Sequence, residues 1–257
     1  MTSNLVLVVS MLGMAGAFIA GLAGIGGAVI MIPLLYYVPP ILGLEKLSLQ
    51  AVAGVTIVQV LVAAGTAAWV HKSHNLFNRS LVVWMGTSIA IGSFAGGLGA
   101  KYVSEEVLQF VFAALALLAA VVMFIPRKEA GENQEVMINR PLSVTCAAII
   151  GVLSGLIGAG GAFLLVPIML YLLKIPLRIT IGSSLGIVFF SALSGFIGKA
   201  LTGQIPWDLA FAIIIGALPG AYLGGKVSKI VPVKILKVLL ALLISTSAVK
   251  MWLNLIY

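Results

Sequence analysis

The chain has 257 residues, of which 61% are hydrophobic and 9% charged, with a mean hydropathy of +1.21. A soluble domain carries roughly 25% charged residues, so this chain cannot coat a globular surface in water, and disorder fails because apolar content is far too high. The net charge of +8 would suggest nucleic acid in a soluble protein, but here the basic residues stand at the ends of apolar runs, where membrane topology accounts for them.

The first charged residue is Glu45, after 44 uncharged positions. No Lys or Arg precedes this run, so it reads as an uncleaved first segment and not as a signal peptide. Residues 21–37 within it read GLAGIGGAVIMIPLLYY. As one straight helix, residues 5–38 would be about 51 Å long, against a hydrocarbon core of about 30 Å. The clustered glycines, with Pro33 six residues after Gly27, break the run into two segments. The second, Ala28 to Tyr37, is short enough to be a re-entrant half-helix or a short steep crossing. Uncharged runs follow at 47–71 (His71 neutral), 80–100 and 107–126. Arg127 to Arg140 is the one strongly polar stretch, with Lys128, Glu129, Glu132 and Glu135. Runs at 141–173, 179–198, 209–225 and 238–249 complete the chain. The fold class is an all-α polytopic membrane protein.

The chain contains a copy of its own motif. Residues 155–171, GLIGAGGAFLLVPIMLY, match residues 21–37 at 8 of 17 positions, including Pro33/Pro167 and Tyr37/Tyr171. A second echo pairs Gly92-x-x-x-Gly96-x-x-x-Ala100 with Gly216-x-x-x-Gly220-x-x-x-Gly224. Residues 1–126 are therefore expected to form a first transmembrane repeat, 127–140 a cytoplasmic linker and 141–257 a second repeat. Loop charges decide the number of crossings. One crossing per motif run gives eight helices and divides the 15 Lys and Arg residues 7 to 8. Splitting each motif run gives ten segments. One side then holds Lys72, Arg79, Arg127, Lys128, Arg140, Lys174, Arg178, Lys226, Lys229, Lys234 and Lys237, and the other only Lys46, Lys101, Lys199 and Lys250. Eleven against four is the cytoplasmic bias expected of an inner-membrane protein, with both termini outside. Five segments per half invert the second repeat relative to the first. The expectation is about eight full spans plus two short or re-entrant half-helices at the glycine motifs.

The candidate site follows from those motifs. At Gly26-Gly27-Ala28 and Gly160-Gly161-Ala162 a short helix begins, and its unpaired N–H groups would attract an anion without a cationic side chain. Close packing through small residues is the competing account. No Lys-Ser/Thr follows the glycines and no βαβ pattern surrounds them, so neither motif is a nucleotide loop. Thr56, Gln59 and Thr66 are polar residues inside spans of the first half, and Thr180, Ser183, Ser184, Ser191 and Ser194 of the second. Ser183, Ser184, Thr56 and Gln59 are the candidate auxiliary donors, although helix Ser and Thr often bond their own backbone. The Gly92 and Gly216 series read as packing faces. All seven acidic residues lie in loops or at segment ends, leaving no buried carboxylate for proton coupling. Cys146 is the lone cysteine, His71 and His74 read as a solvated loop, and no catalytic dyad falls inside a span, so the expectation is no enzyme, metal site or cofactor. Lys199 reads first as a snorkelling side chain at the outer mouth and second as an attractor of anions there.

Gly-x-x-Gly-x-Gly-Gly-x5-Pro once in each half, with Ile181-Gly182-Ser183-Ser184-Leu185 and Gly216-Ala217-Leu218-Pro219-Gly220 in the second, resembles the sulfite exporter TauE/SafE family, also described as 4-toluene sulfonate uptake permeases. The resemblance covers essentially the whole chain. It implies a permease moving sulfite, sulfonates or related sulfur-containing or organic anions across the cytoplasmic membrane. Family motifs often carry a third consecutive glycine, where this chain has Ala28 and Ala162. The expected partners are a small anionic substrate and the lipid bilayer, not nucleic acid, and a homodimer stays open beside a monomer. The alternative function is a non-transporting membrane scaffold or assembly factor.

Overall fold

The computed structural model describes residues 3–23, 27–71, 78–124 and 139–228, and from the C-terminal stretch 231, 242, 245, 246, 249 and 251–253. Every regular element among them is helical. In chain order these are α1 (Ser3–Ala23), α2 (Ala28–Ile41), α3 (Leu49–His71), α4 (Arg79–Gly99), α5 (Glu105–Phe124), α6 (Arg140–Ile157), α7 (Ala162–Pro167), α8 (Leu177–Leu201) and α9 (Trp207–Ser228). Among the described residues seven helices are long and apolar enough to cross a bilayer, all but α2 and α7. Large apolar side chains such as Met11, Ile91 and Ile215 face outward, where lipid surrounds a multi-pass membrane protein. The eighth expected span falls in 229–257, mostly outside the described residues.

Helix starts are set by local chemistry. The Asn78 side chain accepts from Leu81 N at 3.1 Å, and that of Asn139 from Leu142 N at 3.3 Å, each satisfying an orphan donor of the first turn. Glu105 and Glu106 occupy the first turn of α5, where the helix dipole favours a negative charge. Glu105 Oε1 also accepts from Leu49 N at 2.9 Å, so one carboxylate serves the starts of α5 and α3.

Both glycine-bearing runs are broken, as their length required. α1 ends at Ala23 and α2 begins at Ala28, with Gly27 left-handed at φ 68°. α6 ends at Ile157 and α7 begins at Ala162, with Gly158, Gly160 and Gly161 at φ 72°, 63° and 75°. Only glycine takes up such a conformation freely. The two copies then differ at their shared proline. α2 runs through Pro33 as one α-helix, whereas after Pro167 the ladder widens into a π-turn over Ile168–Leu172, with Leu173 N donating to Ile168 O at 3.0 Å. Lys174 at φ 52° and Pro176, which disfavours a helical residue before it, end that segment.

The glycine ladders are packing faces. A Cβ at Gly92 or Gly96 of α4 would collide with α6 backbone, at 2.9 Å from Val152 N and 3.0 Å from Leu156 N. A Cβ at Gly216 or Gly224 of α9 would collide with α1, at 2.8 Å from Met14 N and 3.0 Å from Leu22 N. Thus α1 packs on α9 and α4 on α6, while α3 lies against α8 and α9 and α8 against α4. Helices α1, α3 and α4 pack on α6, α8 and α9, so the first and second halves of the sequence are not separate packing units.

Candidate functional site

Gly27 caps α2 without a side-chain hydrogen bond, and its carbonyl accepts from Ile30 N at 3.2 Å and Met31 N at 3.0 Å. A Cβ there would lie 2.6 Å from Ala20 Cβ and 2.9 Å from Gly16 O, so the turn is pressed onto α1. Ala28 is fully buried, and Gly26 lies outside the described residues. The second turn is held from more directions. Gly158 meets the Ala53 backbone on α3; a Cβ at Gly160 would lie 2.6 Å from Val60 on α3 and 3.6 Å from Ala192 on α8. A Cβ at Gly161 would come to 3.0 Å from Ile89 on α4, 3.0 Å from Ile150 on α6 and 3.2 Å from Ser154 Oγ. Gly161 caps α7, which opens with Ala162, and its carbonyl accepts from Leu165 N at 2.9 Å. The short helices α2 and α7 touch each other, and most of the described residues of α2 are buried, as is α7 from Phe163 to Pro167.

The candidate polar side chains are all fully buried but do different things. Thr56 and Gln59, about one turn apart on α3, make no side-chain hydrogen bond with any described residue; both amide atoms of Gln59 and the Thr56 hydroxyl are unpartnered. Ser183 Oγ accepts from Asn78 N at 3.1 Å, tying the start of α8 to the start of α4. Ser184, beside it, is equally buried. The structure therefore gathers Gly160 and Gly161 with α3, α4, α6 and α8, and gives Ser183 a structural bond.

Four further polar groups stand on the helices that surround the second turn. Ser93 of α4 and Ser191 of α8 are fully buried, their hydroxyls without a partner among the described residues, and Ser154 of α6 donates to Gly151 O at 3.1 Å. Lys199 does not snorkel. It is fully buried, and its Nζ donates to Leu156 O at 3.0 Å and Gln204 Oε1 at 3.3 Å. Gln204 Nε2 donates in turn to Gly97 O at 2.8 Å and to Thr202 Oγ1. Ser93 lies within the Gly92–Gly96 face, where a packing account absorbs it, and a lysine near the end of an apolar run reads as a surface charge. The signal for Lys199 was its spacing, four and eight residues after Gly195 and Ser191, which puts all three on one helix face.

At the loop after α2, Lys46 Nζ lies 4.8 Å from the centre of the Tyr36 ring, and its hydrogen bond to Tyr36 raises its pKa above the ordinary lysine value. Among the described residues, no three His, Cys, Asp or Glu side chains stand together as a metal would require.

Comparison with known proteins places these features. The family model for the sulfite exporter TauE/SafE matches residues 9–251. The probable membrane transporter protein YdhB of Bacillus subtilis is 25% identical over 238 residues, covering 91% of this chain and 93% of that one. YunE of the same organism, also named a probable membrane transporter protein, is 23% identical and covers 84% of each chain. A probable membrane transporter protein of Xylella fastidiosa (strain Temecula1) is 28% identical over 226 residues, covering 86% of this chain and 84% of that one. No solved structure matches. The chain is a membrane transporter-family protein and not an enzyme. With the match spanning nearly its whole length, the multi-pass helical chain with its two broken, glycine-capped runs belongs to the sulfite exporter TauE/SafE family.

Proposed function

We propose that the protein carries a small sulfur-containing or organic anion, such as sulfite or an organosulfonate, across the cytoplasmic membrane, with both termini outside. The anion is held between the starts of α2 and α7, whose first N–H groups have no side-chain cap. Thr56 and Gln59 add donors from α3, and Ser183 and Ser184 add hydroxyls from α8; Ser183 keeps its own proton to donate while it accepts from Asn78. The observation that carries the reading is the unpartnered amide of Gln59 with the unpartnered hydroxyl of Thr56, both fully buried near the centre of the helices. A buried polar group without a partner costs about 1–3 kcal/mol, which a bound anion or its water would relieve.

The packing also supports an inverted relation between the halves. Under the repeat alignment α1 corresponds to α6, α3 to α8 and α4 to α9. The contacts then come in matching pairs, α1 on α9 with α6 on α4, and α3 on α9 with α8 on α4. Because glycine faces lock α1 to α9 and α4 to α6, alternating access moves these crossed pairs and not the sequence halves.

Leucine at Gly27 or Gly161 would test the turns, but both are left-handed and crowded, so such variants would damage the fold itself. Thr56→Val and Gln59→Leu are cleaner, since neither removes a hydrogen bond made within the described residues. Both are expected to fold, to bind sulfite and organosulfonates at least tenfold more weakly and to lose flux in proteoliposomes. Wild-type affinity in both would refute the site. Binding without any flux in the wild-type protein would favour the scaffold reading.

A further inference from the structure

One face of α8 presents Ser191, Gly195 and Lys199 at four-residue intervals, about 6 Å apart along the axis. Against it lies the face of α4 that carries Ser93 and Gly97. A Cβ at Gly195 would come within 2.6 Å of Ser93 Oγ, and one at Gly97 within 2.8 Å of Gly195 O. α6 closes the third side: Gly151 and Gly155 pack on the Ser93 backbone, Ser154 stands beside Gly161, and Leu156 O receives Lys199. The seam thus runs from the buried Lys199 amine, past two hydroxyls without a partner among the described residues, to the second glycine turn.

Three features of this seam point to a ligand. Lys199 places an amine inside a span, and both its bonds among the described residues go to neutral oxygens. Glu45, Glu105, Glu106 and Asp208, the described acidic residues, lie in loops or helix first turns, and Lys199 bonds to none of them. In its charged form the amine has three donors, of which these bonds use two. Ser93 and Ser191 bury hydroxyls that bond nothing among the described residues. Packing alone does not call for them. In the repeat alignment Ala17, Ala20 and Ala217 correspond to Gly151, Ser154 and Ser93, and with Ala63 and Ala221 they form a closed alanine cluster. The helices beside the first turn achieve their contact with methyl groups, while those beside the second carry serines.

We propose that Lys199, Ser93 and Ser191 form an anion station on the transport path, on the Lys199 side of the second glycine turn, taking one small singly charged oxyanion. It rests on the reading of the chain as an anion carrier and gives that path a cationic residue. Lys199 supplies the counter-charge and the serines donate to the anion's oxygens. The alanine-lined side has no matching serines, so this station has no counterpart beside the first turn.

The test uses purified full-length protein, sodium bisulfite and isethionate as probes, and both calorimetric titration and thermal unfolding. Ser93→Ala and Ser191→Ala remove hydroxyls without breaking a bond, so the ligand-free proteins should unfold at or above the wild-type temperature. Their affinity for the probes should fall roughly 10–100-fold, the range for a hydrogen bond to a charged group. Lys199→Met should lose binding, and Lys199→Arg should keep part of it. Wild-type affinity in both serine variants and Lys199→Met overturns the station. If Thr56→Val and Gln59→Leu are weakened in the same experiment, the carrier reading survives that result. A wild-type protein that takes neither probe overturns both.

Discussion

Three glycines separate two physical demands that the fold makes on this residue. Gly43 is left-handed at φ 72° with nothing near where a Cβ would stand. Gly216 lies within α9, and a Cβ there would strike Ser10 O and come within 2.8 Å of Met14 N. Gly158 carries both burdens, left-handed at φ 72° and pressed onto the Ala53 carbonyl. For Gly43→Ala the expected loss is conformational only, about 1–2 kcal/mol. For Gly216→Ala it is overpacking against backbone that cannot rotate away, about 1–3 kcal/mol. Gly158→Ala should lose roughly the sum, about 2–5 kcal/mol, because the strained residue must also part α3 from the end of α6. Thermal unfolding in one detergent, with the four proteins compared side by side, reads the order. Gly158→Ala should be the least stable by a clear margin. If it unfolds with Gly43→Ala, the turn is not gripped by α3 as described, and the second motif is only a flexible hinge.

Glu105 receives Leu49 N across two helix starts, so Glu105→Ala should lower the unfolding temperature, by about 1.5–3 kcal/mol in stability, while Glu105→Gln, which keeps an acceptor, restores much of it. Asn139→Ala should cost about 0.5–2 kcal/mol through its cap of α6, and Asn139→Ser or Asn139→Asp should recover it in the same unfolding assay.

Most of the architecture could be read from where the charges and glycines fall. A 44-residue uncharged opening run cannot be one helix in a bilayer about 30 Å thick, and the break stands at the glycines as length demanded. The Gly92 and Gly216 series also served as packing faces, because small residues at four-residue spacing let two backbones approach. The candidate site was legible in part. Gly161, Thr56 and Gln59 could be singled out as unusual residues in apolar surroundings. Ser183 could too, yet its bond to Asn78 joins positions 105 residues apart, which no local pattern discloses. Ser93 was hidden because it shares a stretch with glycines that pack. Lys199 was misjudged because position in a run says nothing about which neighbour a helix face meets. Pro33 and Pro167 occupy the same place in the two motifs, yet only the second leads into a π-turn, and the residues after the two prolines differ.

The crossed packing limits how such a protein can open. Where glycine lets one backbone rest on another, as between α1 and α9 or α4 and α6, separating the helices would forfeit the closest van der Waals contacts in the molecule and leave grooves that side chains there cannot fill. Those pairs therefore stay together. α8 also meets α4 through Gly97 and Gly198, where an added Cβ would lie 2.8 Å from backbone oxygen, a looser fit than in those pairs. The contacts left to change are therefore those of α3 and α8 with each other and with the crossed pairs. Polar ties stand at both ends of α8: Asn78 N to Ser183 at its start, and Lys199 with Gln204 to α6 and α4 at its finish. Each tie is a hydrogen bond between groups that water can satisfy once exposed, so breaking one end at a time carries a small net cost. Opening both ends together would also abandon the apolar contacts between them. In a chain this poor in polar side chains, ties at the two ends of one helix suit a motion that exposes the centre to one side and then to the other.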